Sequence, residues 1–425
     1  MSRTPRMKDC SNCPSTKRKY TKPYKRAGGQ KKAPGTDGIG REFYSHNWGS
    51  IKDDLCEIVN QMFWAGTISQ QQKRGVIVCL PKAQGNQPPE DYRPITLLNS
   101  DYKILARIIA QHLRPVLADH LTETQFCEFL GNTIMDAVAT VRDTIAYAER
   151  RKIPLCVLSL DFKNAFDRIS HNYLFQTPQG YGIGNKFIKR MYEGAMSLVQ
   201  INGYQYGTIP IRCSVRQGCP MNMALYPLCL HPFLRLLDLK LPGIMIGRRT
   251  RPTSVVAYAD DVTIFVTSVA EFAIIEEAIR IYERASGARL NPRKSKALAI
   301  GNWCTQETVL GIAYHPHVTI LGVTFWGTIE QRMIDSWERL TGKVRVPAKR
   351  AYTRGPCLAT RMRYVNTFLL SKIWYTAQIL PAPKHIHTTI DNSHYLVHLE
   401  RNSLSSVGIN PTMTKAKGRM GNAGY

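Results

Sequence analysis

The sequence predicts an α+β protein, and three observations carry that prediction. Leu155-Cys-Val-Leu-Ser-Leu160 is an unbroken apolar run of strand length, and it ends in Asp161. Residues 254–268 hold two further runs, Ser-Val-Val-Ala-Tyr and Val-Thr-Ile-Phe-Val, joined through Ala259-Asp260-Asp261 in the pattern of an antiparallel hairpin. Between and around these runs, long stretches carry apolar residues every three or four positions, the period of an amphipathic helix.

The elements follow in order. Residues 1–35 hold 11 Lys and Arg against the single acid Asp9 and read as a disordered basic arm. Within it Cys10 and Cys13 resemble half a zinc site, but no second pair follows at ligand spacing. Pro34-Gly35-Thr36-Asp37-Gly38 is a turn cluster that opens the folded chain. From Trp48 to Trp64 the series Ile51, Leu55, Ile58, Val59, Met62 marks a helix. Gly75 to Leu80 reads as a buried strand ended by Pro81. Helices are expected over Asp101–Leu117, from about Asn132 to Arg151, and over 270–286. Thr319 to Phe325 reads as one more strand, and about 330–379 as helical and basic. There are no internal repeats.

Composition bounds the function. The chain has 425 residues, with 57 Lys and Arg against 31 Asp and Glu, a formal charge of +26. A hydrophobic share of 44% is enough for a sizeable core and excludes a wholly disordered chain. No stretch approaches the ~18 uncharged apolar residues of a membrane span, and the first 35 residues lack an apolar signal core. The 11 cysteines, Cys79, Cys156 and Cys229 among them, read as buried reduced thiols of an intracellular protein. So large a positive charge calls for a polyanionic partner, of which a phosphate backbone is the commonest. A second basic segment, residues 332–372, holds ten Lys and Arg against Asp335 and Glu338.

Asp161 ends one strand and Asp260 and Asp261 sit at the tip of a hairpin. Carboxylates at the ends of neighbouring strands converge at one sheet edge and repel unless cations lie between them. Hard oxygen donors of this kind suit Mg²⁺. Two such ions about 3.5–4 Å apart can clamp the attacking and leaving oxygens of a phosphoryl transfer. Taken alone, Asp-Asp at a turn is also what turn chemistry favours. Asp167 reads as a cap for the helix that follows rather than as a ligand.

The residues then resemble a known family. Leu158-Ser-Leu-Asp161-Phe-Lys-Asn-Ala-Phe166-Asp167, Ser214-Val-Arg-Gln217-Gly218-Cys-Pro220 and Ala257-Tyr-Ala-Asp260-Asp261 resemble motifs A, B and C of reverse transcriptases, and match the LINE-type (non-LTR) retrotransposon branch best. Leu80-Pro-Lys82 and Asp91-Tyr-Arg93-Pro94-Ile95 resemble the branch's fingers motifs. Ala285 to Ser295 resembles motif D, and Ile320-Leu-Gly322-Val resembles motif E. The resemblance runs in order over roughly residues 34–385.

It implies a right-hand polymerase with fingers, a palm built on an antiparallel sheet, and a helical thumb. The expected divisions are 1–35 basic arm, 36–75 N-terminal extension, 76–327 fingers and palm, 328–385 thumb, and 386–425 a truncated tail. The implied activity is RNA-directed DNA synthesis, with an RNA template, a DNA primer or target and dNTPs as partners, and with two Mg²⁺ ions (Mn²⁺ as substitute). Asp161 and Asp260 would be the principal ligands, supported by Asp261. Phe166 matches the steric gate against a 2′-hydroxyl. Lys82 and Arg93 match residues that grip the triphosphate. Gln217 and Gly218 match the turn that lies against nucleotide and template, and Lys294 matches a proposed acid for the leaving pyrophosphate. Thumb residues Arg345, Lys349, Arg350, Arg354, Arg361 and Arg363, with Tyr352 and Tyr364, would follow hybrid phosphates.

Three departures stand out. Glu128 replaces a small residue after Gln125-Phe, Asn222 replaces a serine after motif B, and Pro178 falls in a segment that should be helical, implying a kinked or damaged connection. The chain shows neither an endonuclease nor a Cys/His knuckle and stops at Tyr425, so it reads as a fragment. The alternatives are a decayed copy that only binds nucleic acid, and an RNA-dependent RNA polymerase. Phe166 and the Tyr-Ala before the Asp pair argue against the latter. Nuclear residence fits a basic protein acting on chromosomal DNA, although Lys17-Arg18-Lys19 is too generic to establish it.

Overall fold

The computed structural model describes residues 33–64, 68–82, 85, 88–127, 131–247, 251–304, 308–326, 336–344, 357–383 and 386. Most of the basic arm, Glu128, most of the C-terminal tail and the expected thumb residues Arg345, Lys349, Arg350, Tyr352 and Arg354 lie outside that set. The chain divides into two compact units at Leu321/Gly322.

In the first unit, helix α1 (Trp48–Trp64) directs Leu55, Val59 and Met62 into the core, as its spacing requires. This N-terminal extension therefore belongs to the main core rather than to a separate body. Strand β1 (Gly75–Pro81) pairs antiparallel with β2 (Tyr92–Leu98). It is not the buried strand its sequence implies. Only Gly75 and Val76 are buried, and the strand runs out to solvent, which leaves Cys79 exposed. Helix α2 (Ser100–His120) extends past its expected end and buries Tyr102, Leu105, Ile109, Leu113 and Leu117. Helix α3 (Ile134–Arg150) starts at a reciprocal cap: Asp136 N donates to Thr133 Oγ1 at 3.3 Å and Thr133 N to Asp136 Oδ2 at 2.7 Å.

Strand β3 (Leu155–Leu160) has the bounds read from sequence and is buried except at Ser159. The one-turn helix α4 (Ala165–Arg168) and helix α5 (His171–Gly180) follow. Pro178 does not break α5. It falls in the last turn, where the helix is already ending, and its carbonyl accepts the closing bonds from Tyr181 and Ile183. Strands β4 (Met196–Ile201) and β5 (Tyr204–Pro210) complete a sheet of order β2-β1-β4-β5, in which β1 and β4 run parallel.

Helix α6 (Asn222–Lys240) is apolar on nearly every side because it runs through the core, burying Leu225, Leu228, Leu230, Phe233, Leu234 and Leu237. Asn222, the second departure, is its first residue. Strands β6 (Val255–Tyr258), β7 (Asp261–Val266) and β8 (Lys296–Ile300) join β3 in a second sheet of order β6-β7-β3-β8, antiparallel throughout. Helix α7 (Glu271–Ser286) lies between β7 and β8 in the chain and ends at left-handed Gly287. Near the unit boundary the expected single strand is broken. Leu321 and Gly322 adopt positive φ, so the chain turns between short strands at His317–Ile320 and Val323–Trp326.

Beyond the strand Val323–Trp326, the second unit is mostly helical where it is described. Residues 336–344 are followed by helix Leu358–Tyr364, a π turn at Val365–Leu370 and helix Ser371–Ala377. Trp337, Leu340, Val344, Leu369, Ile373 and Ile386 form its own small core, and Trp337 Nε1 donates to Pro381 O at 3.0 Å.

Candidate active site

The register of the second sheet brings the three carboxylates together. Leu160 of β3 pairs with Val262 of β7, so Asp161, one step beyond, stands across from Asp261, one step before. Tyr258 pairs with Asp261, leaving Ala259 and Asp260 as the two-residue turn of the β6–β7 hairpin. Their mutual field shows in their protonation. Burial first, then the charge of Asp161, raises the Asp260 carboxyl, with Arg93 opposing. Asp261 is exposed, yet desolvation, then Asp260, then Asp161 push its carboxyl up to about 6.

The turn is held by a residue whose role the sequence reading missed. Gln125 is fully buried, and its Oε1 accepts from Ala259 N at 3.1 Å and from Cys127 N at 3.1 Å, while Nε2 donates to Ala259 O at 3.4 Å. Ala259 needs this support because its φ of 53° lies in the left-handed region that side chains other than glycine avoid. No signal in the sequence marked Gln125 out: it lies among Thr122, Glu123, Thr124 and Glu128, a polar stretch in which a glutamine gives no sign of burial.

Gln217 and Gly218 occupy a turn stapled to the exposed edge of β2. Thr96 N donates to Gln217 O at 2.8 Å, and a Cβ placed on Gly218 (φ 103°) would stand 2.5 Å from Thr96 O. Glycine is therefore required here by the fingers strand beside it, within the protein itself. Asp167 is not a helix cap. The next helix is capped by Ser170, whose Oγ accepts from Tyr173 N at 3.3 Å. The Asp167 carboxylate instead receives Gln217 Nε2 at 2.8 Å and Ser214 Oγ at 3.2 Å. Burial pushes it up to about 6, with those two donors and the charge of Lys82 pulling the other way.

Phe166 is half-buried and packs on Tyr226, ring centroids 4.3 Å apart. The Tyr226 phenol is pushed well up, by burial first and then by Asp260, so this pair borders the carboxylates. Arg93 and Lys82 are exposed, and their charges reach Asp260 and Asp167 respectively. Lys294 is exposed too, with Nζ 3.1 Å from Asp91 Oδ1. A separate groove of about 680 Å³, bordered by Glu123, Asp136, Asp143, Asp238 and Arg251, contains none of the three catalytic candidates.

As the side chains stand, no group of three or more His, Cys, Asp or Glu among the described residues closes on a point where an ion would sit. The donor set nevertheless fits a divalent cation. The three carboxylates are hard oxygen donors; burial first, and then the charge of neighbouring carboxylates, raises the Asp260 and Asp261 carboxyls, and a cation between them would favour their charged forms.

An antiparallel four-stranded sheet with three carboxylates at one end, and a second four-stranded sheet that carries Arg93, define a two-sheet α+β architecture. The chain belongs to the family described as reverse transcriptase (RNA-dependent DNA polymerase), which matches residues 80–325. Among its relatives is the transposon TX1 uncharacterized 149 kDa protein of Xenopus laevis, 36% identical over 274 residues, covering 64% of this chain and 21% of that protein. The Pol polyprotein of retrotransposable element R2DM of Drosophila melanogaster is 24% identical over 277 residues, 63% of this chain and 25% of its own length. The corresponding R2 protein of Popillia japonica is 27% identical over 238 residues, 54% and 33% respectively. The chain thus spans between a fifth and a third of these relatives. A telomerase structure from Candida tropicalis, lacking its C-terminal domain, aligns with a TM-score of 0.44 at 14% identity over 66% of this chain and 59% of that one. The retrotransposon branch read from the motifs agrees with the names of the sequence relatives.

Proposed function

We propose that this chain is the polymerase segment of a retrotransposable element and adds dNTPs to a DNA 3′-hydroxyl on an RNA template. The observation that carries the reading is the β3–β7 register, which sets Asp161 across from Asp261 with Asp260 at the adjoining turn. Two Mg²⁺ ions, or Mn²⁺ in their place, would polarise the attacking hydroxyl and stabilise the leaving pyrophosphate. Asp161 and Asp260 are the residues to hold them, with Asp261 adding negative charge. Arg93 and Lys82 bind the triphosphate from the fingers side, neutralising charge that builds on it in the transition state. Phe166 lies under the sugar and excludes a 2′-hydroxyl, and Gln217 orients the nucleotide from the motif B turn. Lys294 delivers its proton only after leaving Asp91, so its part in the reaction depends on that ion pair opening. Template RNA, primer DNA and a nuclear site of action belong to the same proposal.

The test is primer extension on poly(rA)/oligo(dT) with dTTP and Mg²⁺, beside Asp260→Asn. Extension by the wild type alone is expected, with the hybrid bound equally by both proteins. Extension by Asp260→Asn at the wild-type rate would remove Asp260 from the site.

A further inference from the structure

In the segment that follows helix α7, Lys294 matches a family motif, yet the groups that reach the carboxylate-bearing end of the sheet are Asn291 and Ser295. After Gly287 the chain reverses and runs antiparallel to the residues just beyond β3. Lys163 N donates to Arg289 O at 2.8 Å and Asn291 N to Asp161 O at 2.8 Å. The chain then closes a turn on itself, with Lys294 N and Ser295 N both donating to Asn291 O at 3.1 and 2.9 Å. Ser295 Oγ accepts from Asp161 N at 2.9 Å, and Asn291 Nδ2 donates to Asp161 Oδ2 at 3.0 Å. One five-residue turn therefore takes the amide, the carbonyl and one carboxylate oxygen of Asp161.

We propose that Asn291 is a positioning residue that aims the Asp161 carboxylate for metal binding, with Ser295 holding the backbone beneath it. The inference rests on the reading of Asp161 as a metal ligand. An aspartate at the end of a strand has two free side-chain torsions, and a ligand that must be ordered on binding loses affinity. The bond to Oδ2 removes that freedom and leaves Oδ1 as the oxygen this turn does not engage. The chemistry of the donor matters as much as its place. A neutral amide orients a carboxylate without cancelling its charge, whereas a lysine or arginine here would compete with the cation. The turn does contain two cations, but Arg293 is exposed and the Lys294 Nζ is directed to Asp91 at 3.1 Å. Outer hydrogen-bond partners of metal ligands commonly govern about 10–100-fold in metal affinity or activity.

The test is Mn²⁺ binding to the full chain, read by electron paramagnetic resonance of the free ion, for wild type, Asn291→Leu and Asp161→Ala. Asn291→Leu is expected to weaken Mn²⁺ binding at least about tenfold. It should also raise the Mg²⁺ concentration for half-maximal primer extension, while the KM for dTTP at saturating metal and the affinity for the hybrid stay unchanged. A loss confined to melting temperature, with Mn²⁺ binding intact, would overturn the proposal. If the leucine variant does not fold, Asn291→Ser decides by the same readouts, since its shorter side chain keeps the turn polar but withdraws the donor. Asp161→Ala separates the two ideas. Mn²⁺ binding unaffected by Asp161→Ala would remove the metal reading itself. Binding lost in Asp161→Ala but kept in Asn291→Leu would remove only Asn291.

Discussion

Gln125 grips the peptide of Ala259 from both sides, accepting from its N–H at 3.1 Å and donating to its carbonyl at 3.4 Å, although the two residues are 134 positions apart. The hairpin that presents Asp260 and Asp261 is thus pinned by a side chain from the segment between α2 and α3. Replacing Gln125 by Leu strips partners from buried backbone groups, at about 1–3 kcal/mol for each group left unsatisfied. Primer extension should fall at least about tenfold, because the turn that presents Asp260 and Asp261 loses the side chain that holds it. Affinity for the hybrid should stay within about twofold. Ala259→Gly in that background should restore part of the activity, because glycine adopts the left-handed turn without help. Steady-state kinetics of the single and double variants checks this.

Asp167 carries a burden on the fold that has a defined pH window. Its carboxyl is raised to about 6, above that of the unfolded chain, so the folded state binds the proton more tightly. The cost of ionising it is fully present above pH 6 and vanishes as pH falls through the ordinary carboxylate range. The gap corresponds to on the order of 3 kcal/mol. Asp167→Asn should therefore melt higher than wild type at pH 7.5, with the advantage shrinking toward pH 4. The same variant loosens Gln217, so the KM for dNTP should rise. Thermal melts across pH, set beside dNTP titrations, test both halves.

At Gly218 the obstacle is backbone rather than solvent. An added methyl group would meet Thr96 O at 2.5 Å in a conformation, φ 103°, that alanine resists. Gly218→Ala should lower stability by about 2–4 kcal/mol, a melting-temperature drop of several degrees. An unchanged melting temperature would mean the turn is not packed on β2.

Phe166 packs on Tyr226 beside the carboxylates; in the proposed site it bounds the sugar. Phe166→Ala should raise ribonucleotide incorporation relative to deoxynucleotide at least about tenfold, the scale on which shape discriminates in a packed pocket. Competition between rNTP and dNTP on one template measures it, and an unchanged ratio would show that the ring only packs the core.

Legibility followed the range of the interactions. Helix α1 and strand β3 have the bounds expected from their apolar spacing, because burial of one face or of both is written locally in residue order. The α+β architecture and the carboxylate-bearing hairpin were legible for the same reason, whereas Gly218 stood out only through the resemblance to motif B. Errors arose where a local pattern had a distant partner. Strand β1 carries the apolar residues of a buried strand but runs past the edge of the core, and Pro178 sits where α5 was already ending.

The sequence by itself determined where the proposed chemistry would sit: its apolar runs put three carboxylates at strand ends, and its resemblance to a family added Phe166, Lys82 and Arg93 around them. Only the tertiary structure decided what holds those residues in place. The partners of Asp260's turn, of Gln217 and of Asp161 are Gln125, Asp167 and Asn291, each brought from 50 to 134 positions away. Hydrogen bonds over such separations exist only once sheet register has placed both ends. No local spacing encodes them, because the chain between can take any length that closes.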